Sequence, residues 1–149
     1  MLFGRKRRSI EKLLLVEDEP LIAFDTEYLL RDQGFTIVAT VDRVADAVRL
    51  IDGDSAIDLV LVDVNLADGS GLDVARAAAA RDIAVLFVTG ACPADAEVVA
   101  VGCLAKPYTQ RDLLGSIDAI ESRSEGRTPP RLPGGLRLFG GGSSISGLT

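Results

Sequence analysis

The sequence contains no histidine at all, and this absence excludes several kinds of functional site. Without imidazole the chain cannot form a Ser-His-Asp or Cys-His catalytic arrangement, or a metal site with histidine ligands. Its two cysteines, Cys92 and Cys103, are too few for a disulfide framework, and they are expected to be buried apolar residues in a reducing compartment. Any chemistry must therefore use carboxylates, lysine, hydroxyl groups or the backbone.

Long hydrophobic runs are missing as well. The early apolar run at residues 13–16 is far too short to cross a bilayer, and no apolar stretch of secretory length follows the basic N-terminus. These absences predict a cytoplasmic protein without membrane insertion. The net charge of −6 argues against nucleic-acid binding. Residues 1–9 nevertheless form a basic tip, which is either solvated or in contact with a membrane surface or an acidic partner.

Short apolar runs alternate with segments of helical periodicity, as is typical of an α/β protein with a parallel sheet. The runs lie at residues 13–16, 36–41, 59–62, 85–88 and 103–105, and the helical segments at 20–33, 44–51, 72–80, 94–101 and 109–122. We therefore predict one α/β domain with a five-stranded parallel sheet over residues 10–122. The hypothesis for its topology is the doubly wound, flavodoxin-like (βα)5 fold, whose strand order is 2-1-3-4-5.

The first and fourth helical segments differ in their apolar residues. The first begins at Pro20 and carries Leu21, Phe24, Tyr28 and Leu29 at helical spacing. The segment at 94–101 has few large apolar residues and is a candidate two-state element. Residues 123–149 are rich in glycine, proline and serine, and are predicted to be a flexible tail whose apolar parts, 128–133 and 136–139, either are disordered or dock on a partner.

Polar residues follow the predicted strands at the edge of the sheet where ligands of such folds bind. Glu17 and Asp18 follow the first strand, Asp63 the third, Thr89 the fourth and Lys106 the fifth. In the order 2-1-3-4-5 the first and third strands are neighbours, so the three acidic residues share one pocket. Three carboxylates in one pocket repel one another unless a cation lies among them. A ligand set made only of oxygen atoms favours Mg²⁺.

A pocket with Mg²⁺ and a lysine supports phosphoryl transfer, because both cations neutralise phosphoryl oxygens. Asp63 is the natural nucleophile and would form an aspartyl-phosphate, with Asp18 and Glu17 as metal ligands, one direct and the other through water. A carboxylate is already ionised at neutral pH, so no general base is required.

These residues lie in motifs that resemble the receiver domain of two-component response regulators, in its single-domain, chemotaxis-regulator-like form. The resemblance covers residues 10–122, and its motifs are 16–20 (VEDEP), 61–66 (LVDVNL), 87–90 (FVTG) and 105–108 (AKPY). It implies that a histidine kinase or phosphotransfer protein phosphorylates Asp63. It also implies that Asp18, Asp63 and the Asn65 carbonyl bind Mg²⁺, with Glu17 in support.

The resemblance further implies roles for the last two motifs. Thr89 would hydrogen-bond the phosphoryl group, and Lys106 would pair with another of its oxygens. The bond between Lys106 and Pro107 would be cis. Gly90, which lacks a Cβ, would permit the loop after Thr89 to rearrange as the switch.

Two positions depart from the usual receiver pattern. Cys103 stands where an aromatic switch residue is usual, and Ala67 stands where proline is common. Tyr108 could replace the missing aromatic residue or could simply pack against the core. The 87–91 segment together with the missing aromatic resembles the subgroup with a Phe-Ala-Thr-Gly motif found in alphaproteobacterial stress and light signalling.

The resemblance implies a signalling protein that promotes its own phosphorylation and dephosphorylation, not an enzyme with an external substrate. It would act as a monomer or weak dimer, either on a downstream protein target or as a phosphate sink. The alternative is a receiver that docks a kinase or regulator without being phosphorylated.

Overall fold

The computed structural model of the protein describes residues 8–53, 55–129 and 131–140. Strands and helices alternate along this length, and each predicted element begins and ends within two residues of the observed one. The elements are β1 (Lys12–Val16), α1 (Pro20–Asp32), β2 (Thr36–Val41), α2 (Val44–Asp52), β3 (Leu59–Val62), β4 (Asn65–Leu66), β5 (Gly69–Ser70), α3 (Gly71–Ala79), β6 (Ala84–Thr89), α4 (Ala96–Val99), β7 (Gly102–Ala105), α5 (Gln110–Ser124) and β8 (Leu136–Leu138).

The main sheet has the strand order β2-β1-β3-β6-β7-β8. Its first five strands run parallel and follow the predicted order 2-1-3-4-5, which confirms the flavodoxin-like fold. The small β4–β5 hairpin lies outside the main sheet, directly after β3. This order makes β1 and β3 neighbours, which positions the residues that follow them side by side.

Helices cover both faces of the sheet, and this explains why the strands are apolar without interruption. Along β1, Leu13 and Leu15 point into the core layer formed with α1 and α5. Leu14 and Val16 point into the opposite layer, formed with α2, α3 and α4. All four side chains are 2% exposed or less, and burying each contributes about 1.5–3 kcal/mol relative to full exposure.

Helix α1 exposes three of the four apolar residues that predicted it, whereas Leu29 is partly buried against the core. Leu21 is 80% exposed, and Phe24 and Tyr28 are each 68% exposed. The buried positions of the helix are instead Ala23 and Leu30. The spacing thus predicted the helix correctly, but its three exposed apolar side chains form a surface patch, which we call the α1 patch (Leu21, Phe24 and Tyr28).

Helix α4 has only four residues, half the length of the predicted segment. Asp95 precedes it without a side-chain cap, and Ala100 after it is extended. This single turn is the least regular helix among the described residues, as the scarcity of large apolar residues predicts.

The structure differs from the predicted flexible tail at residues 131–140. Leu136–Leu138 pair antiparallel with β7 as a sixth strand, and Leu136 and Phe139 are buried. The composition concealed this strand because its few apolar residues lie between glycine-rich stretches. Residues 141–149 lie outside the described part of the chain.

Only the end of the basic tip belongs to the described residues. Arg8 stacks 4.2 Å from the centroid of the Phe35 ring and donates a hydrogen bond to the Gln33 carbonyl. Ser9 donates to the carboxylate of Glu121 in α5. Residues 8 and 9 are therefore fixed on the domain, whereas 1–7 lie outside the described part. No helix within the described residues has both the length and the apolar character to span a membrane.

Candidate functional site

Three carboxylates meet at the carboxyl ends of β1 and β3, as the sequence predicts. The last residues of the two strands, Val16 and Val62, are paired, and the Asp63 amide donates to the Val16 carbonyl oxygen at 3.0 Å. One oxygen each from Glu17, Asp18 and Asp63 lies within 4.8 Å of the others. Asp63 is buried and Asp18 exposed, so the cluster opens to solvent on one side.

Lys106 brings a positive charge into this cluster from the end of β7. Its Nζ lies 2.9 Å from Asp63 Oδ2 and 3.2 Å from Glu17 Oε1. The Lys106 amide also donates to the Thr89 carbonyl oxygen at 2.9 Å, which ties the lysine backbone to β6. The peptide bond between Lys106 and Pro107 is cis.

The environment shifts the pKa of two members of the cluster. Burial raises the pKa of Glu17, although a hydrogen bond from the Glu19 amide and the charge of Lys106 oppose this effect. Burial alone would lower the pKa of Lys106, but its hydrogen bond to Asp63 and its attraction to Glu17 outweigh burial, so the pKa is raised. One ammonium among three carboxylates leaves an excess of negative charge in the pocket.

The donor set fits a hard divalent cation. Carboxylate oxygens are the ligands that Mg²⁺ prefers, and it retains several waters when proteins bind it. The open side at Asp18 provides room for those waters. Asn65 begins β4 two residues after Asp63, and its backbone amide donates to Asp63 Oδ1 at 3.3 Å.

Thr89 and Gly90 lie at the end of β6, in the loop that leads to α4. Thr89 is buried, and its hydroxyl accepts a hydrogen bond from the Ala91 amide at 3.3 Å. A Cβ at the exposed Gly90 would meet nothing within 4 Å, so packing does not require glycine there. The Thr89 hydroxyl is therefore engaged in its own loop.

Cys103 and Tyr108 both pack into the core layers. Cys103 is buried beside Cys92, and burial, followed by the interaction with Cys92, raises the pKa of its thiol to about 12. Tyr108 is partly buried against the opposite layer. Burial raises the pKa of its phenol, whereas a hydrogen bond with Thr26 opposes the shift. The packing interpretation of Tyr108 thus agrees with its position.

Two residues of the acceptor loop were missed by sequence reasoning. A Cβ at Gly71 would lie 2.1 Å from the carbonyl oxygen of Asp63, so only glycine allows α3 to begin so close to the acceptor. Asp68 accepts hydrogen bonds from the amides of Val44 and Ala45 at the start of α2, which lowers its pKa. The signal for both was the DGSG run at residues 68–71, which reads as a turn.

A groove of about 520 Å³ lies between α1 and the start of α5, next to the cluster. Its lining is mainly apolar and includes Leu29, Pro107 and Leu113. Lys106 and Tyr108 also contribute to it, so the groove leads directly to the side chains of the site.

Comparison with known proteins shows to which family the chain belongs. The profile of the family described as response regulator receiver domain matches residues 13–118. The transcriptional regulatory protein PdtaR of Mycobacterium tuberculosis is 31% identical over 118 residues, which cover 75% of this chain and 57% of PdtaR. The phyllosphere-induced regulator PhyR of Methylorubrum extorquens is 35% identical over 80 residues, which cover 52% of this chain and 30% of PhyR.

Solved structures show the same fold. A CheY-like response regulator receiver domain protein of Methanospirillum hungatei JF-1 superimposes with a TM-score of 0.70 at 24% identity, over 79% of this chain and 98% of that one. The chain spans little more than half of PdtaR and less of PhyR, so these relatives contain additional sequence.

Proposed function

Since the chain belongs to the response regulator receiver domain family, we propose that it is the phosphoacceptor of a two-component phosphorelay. The phosphoryl group passes from a phosphohistidine of a kinase or phosphotransfer protein to Asp63. The observation that carries this proposal is the Lys106 ammonium, held 2.9 Å from Asp63 Oδ2 inside an acidic pocket. At this distance the ammonium is close enough to move from Asp63 Oδ2 to an oxygen of a phosphoryl group carried by that carboxylate.

The reaction forms one bond and breaks one. A carboxylate oxygen of Asp63 attacks phosphorus in line, the P–N bond to the donor histidine breaks, and its electron pair returns to the imidazole. Lys106 moves from Asp63 Oδ2 to a phosphoryl oxygen and neutralises its charge. Thr89 exchanges its hydrogen bond with Ala91 for another phosphoryl oxygen. The backbone and side-chain changes are expected to concentrate in residues 89–108.

Asp18 and Asp63 would hold Mg²⁺ directly, together with the carbonyl of Asn65, and Glu17 would contact it through water. When bound, the ion supplies positive charge that lowers the repulsion between the acceptor carboxylate and the incoming phosphoryl group. The excess of negative charge around Lys106 supports this assignment.

The α1 patch is the surface to which we assign the phosphodonor protein. Its exposed Leu21, Phe24 and Tyr28 lie on the helix that lines the groove beside Lys106. Exposed apolar clusters of this kind mark protein interaction sites. A donor bound there would bring its histidine next to Asp63.

Phosphorylation by a small acyl phosphate tests the acceptor. With acetyl phosphate and Mg²⁺, the wild-type protein is expected to gain the mass of one phosphoryl group, and Asp63→Asn is expected to gain none. Asp82→Asn is the matched control, because Asp82 has a φ of 59°, which asparagine tolerates. If the wild-type protein gains no mass, the result would favour the alternative function, a receiver that docks a partner without being phosphorylated.

Phosphotransfer from purified histidine kinases of the same organism tests the α1 patch. Phe24→Ser is expected to reduce this transfer at least tenfold and to leave labelling by acetyl phosphate unchanged, because the small donor needs no docking surface. Equal transfer to both proteins would remove the patch from the proposal.

The output of the phosphorylated protein is a contact with a downstream protein target or the removal of phosphoryl groups from a shared kinase. We place this exchange in the cytoplasm and propose a monomer or weak dimer that turns over no external substrate and binds no nucleic acid. That the chain belongs to the subgroup with the Phe-Ala-Thr-Gly motif stays a prediction.

A further inference from the structure

The added strand β8 covers the edge of β7 along its whole length. The two strands pair with Gly102 opposite Leu138 and Leu104 opposite Leu136. Beyond the ladder, the Phe139 amide donates to the Val101 carbonyl oxygen at 2.8 Å. The segment that makes these contacts is residues 135–139, which we call the cover strand.

The cover strand packs into both core layers. Leu136 is 8% exposed and belongs to the layer of Leu104 and α5. Phe139 is 7% exposed and belongs to the opposite layer, together with Cys103 and Ala96 of α4. An aromatic ring therefore lies in the same layer as Cys103, the position from which the usual aromatic residue is missing.

Two features of the domain accommodate the cover strand. A Cβ at Gly102 would lie 2.8 Å from the Arg137 carbonyl oxygen, so glycine permits the strands to approach. Arg123 of α5 donates through Nη2 to the carbonyl oxygens of Phe139 at 2.6 Å and Val101 at 3.3 Å. The sequence of the domain thus contains a binding site for this segment.

The cover strand is connected to the phosphoacceptor site through β7. The Ala105 amide donates to the Gly135 carbonyl oxygen at 3.0 Å, and the next amide, that of Lys106, donates to Thr89. The backbone of Ala105 and Lys106 is therefore held by the cover strand on one side and by β6 on the other. A shift of Lys106 and Thr89 toward a phosphoryl group acts on these same hydrogen bonds.

We infer that residues 135–139 are an intramolecular cover on the edge of β7, and that phosphorylation of Asp63 releases it. The inference rests on the proposed function, because phosphorylation is the trigger. β8 has three residues and one neighbouring strand, so it is the element of the sheet that separates at the lowest cost. Its release exposes unpaired backbone groups of β7 and the position in the core layer that the Phe139 ring occupies.

The exposed edge fits an extended peptide segment that adds to the sheet as a strand. The occupant seen here defines the chemistry of such a partner. Leu136 and Leu138 are apolar residues two positions apart on one face, and Phe139 is an aromatic anchor on the other. A partner segment of this pattern competes with the cover strand for the same edge.

Amide hydrogen exchange on the full chain tests the release. Addition of Mg²⁺ and beryllofluoride, a phosphoryl mimic, is expected to accelerate exchange of the Phe139 and Ala105 amides at least tenfold and to leave the central β3 amides unchanged. A shift of the Asp63 amide resonance reports that the mimic is bound. If the mimic binds but exchange is not faster, the proposed release of the cover strand is refuted and the proposed function is not. If the mimic does not bind, the result counts against the proposed function as well.

A peptide of residues 134–140 tests the edge as a strand-accepting surface. Phe139→Ala is expected to bind the labelled peptide at least tenfold more tightly than the wild type, without any phosphoryl mimic. Leu132→Ala is the matched control, since Leu132 is 42% exposed just before the cover strand. Arg123→Gln is the second variant, for the case that Phe139→Ala fails to fold. It removes the hydrogen bond from Arg123 to the Phe139 carbonyl oxygen and leaves no cavity in the core. If the folded variants bind the peptide no more tightly than the wild type does, the proposal that the β7 edge accepts a strand is refuted.

Discussion

Replacing Lys106 by methionine removes the positive charge that the structure places between two carboxylates. The variant keeps most of the side-chain volume and loses the hydrogen bonds to Asp63 Oδ2 at 2.9 Å and Glu17 Oε1 at 3.2 Å. The raised pKa of Lys106 means that its ammonium persists throughout the neutral range. Its stabilising effect is complete below the ordinary lysine value of 10.5 and is lost only as the pH rises through the raised value.

The expected magnitude follows from these two contacts. A hydrogen bond to a charged group contributes about 1.5–3 kcal/mol, and ordering a lysine side chain costs up to about 2 kcal/mol. The Lys106 side chain is 21% exposed, so in the variant water can partly replace the ammonium as a hydrogen-bond partner of the two carboxylates. We therefore expect the free energy of unfolding to fall by about 2 kcal/mol. For a protein of this size that loss lowers Tm by roughly 5 °C.

Mg²⁺ distinguishes this explanation from a simple packing defect. Without the lysine the pocket holds more uncompensated negative charge, so Mg²⁺ is expected to bind more tightly to the variant. Each tenfold gain in affinity adds about 1.4 kcal/mol of stabilisation at saturation. Mg²⁺ should therefore raise the Tm of Lys106→Met more than that of the wild type, and so recover part of the loss.

Thermal unfolding with and without millimolar Mg²⁺ measures both effects. Lys12→Met is the control, because Lys12 lies exposed at the start of β1 and undergoes the same substitution. If Lys106→Met melts like the control and Mg²⁺ shifts both equally, the ammonium does not neutralise the acidic cluster.

Two further predictions concern buried neighbours of the site. Gly71→Ala is expected to abolish labelling of Asp63 by acetyl phosphate and to destabilise the fold by at least about 2 kcal/mol, because the new Cβ would lie 2.1 Å from the acceptor's carbonyl oxygen. Gly134→Ala, where a Cβ meets nothing within 4 Å, should be labelled normally, and normal labelling of the Gly71 variant would contradict the predicted clash. In Cys92→Ser, the remaining Cys103 thiol is expected to resist a thiol reagent at mildly alkaline pH until the protein is denatured, since burial, the largest cause of its raised pKa, persists in the variant. Rapid reaction in the folded state would argue against a buried, protonated thiol.

The sequence predicted the parallel sheet and the acidic cluster for a common physical reason. Strands covered on both faces must be apolar throughout, so β1 and β3 were visible as runs that end abruptly at Glu17 and Asp63. The strand order then brought those ends together. At these two strand ends, each followed directly by an acidic residue, sequence and structure agree.

The sequence could not predict which apolar residues are buried in α1. Spacing alone indicates a helix, but whether Phe24 or Leu30 points inward depends on how the helix packs on the sheet. Gly71 was missed because its role is a close approach to the Asp63 carbonyl, a tertiary property that the turn pattern of residues 68–71 does not reveal.

The strand β8 was missed for a different reason. Glycine- and proline-rich composition is typical of disorder, and three apolar residues within it are too few to change that expectation. The site that receives the strand lies elsewhere, at Gly102 and Arg123, so the strand could be recognised only together with its acceptor.

The carboxylate of Asp68, which accepts from the first amides of α2, ties the segment after the acceptor aspartate to the first turn of that helix, so we expect the two to open together. Partial melting at this corner would then free the chain around Asp63 while the central strands stay closed. On slow heating, competence to take up a phosphoryl group should consequently decline before the sheet itself unfolds, so that signalling fails at a lower temperature than the fold.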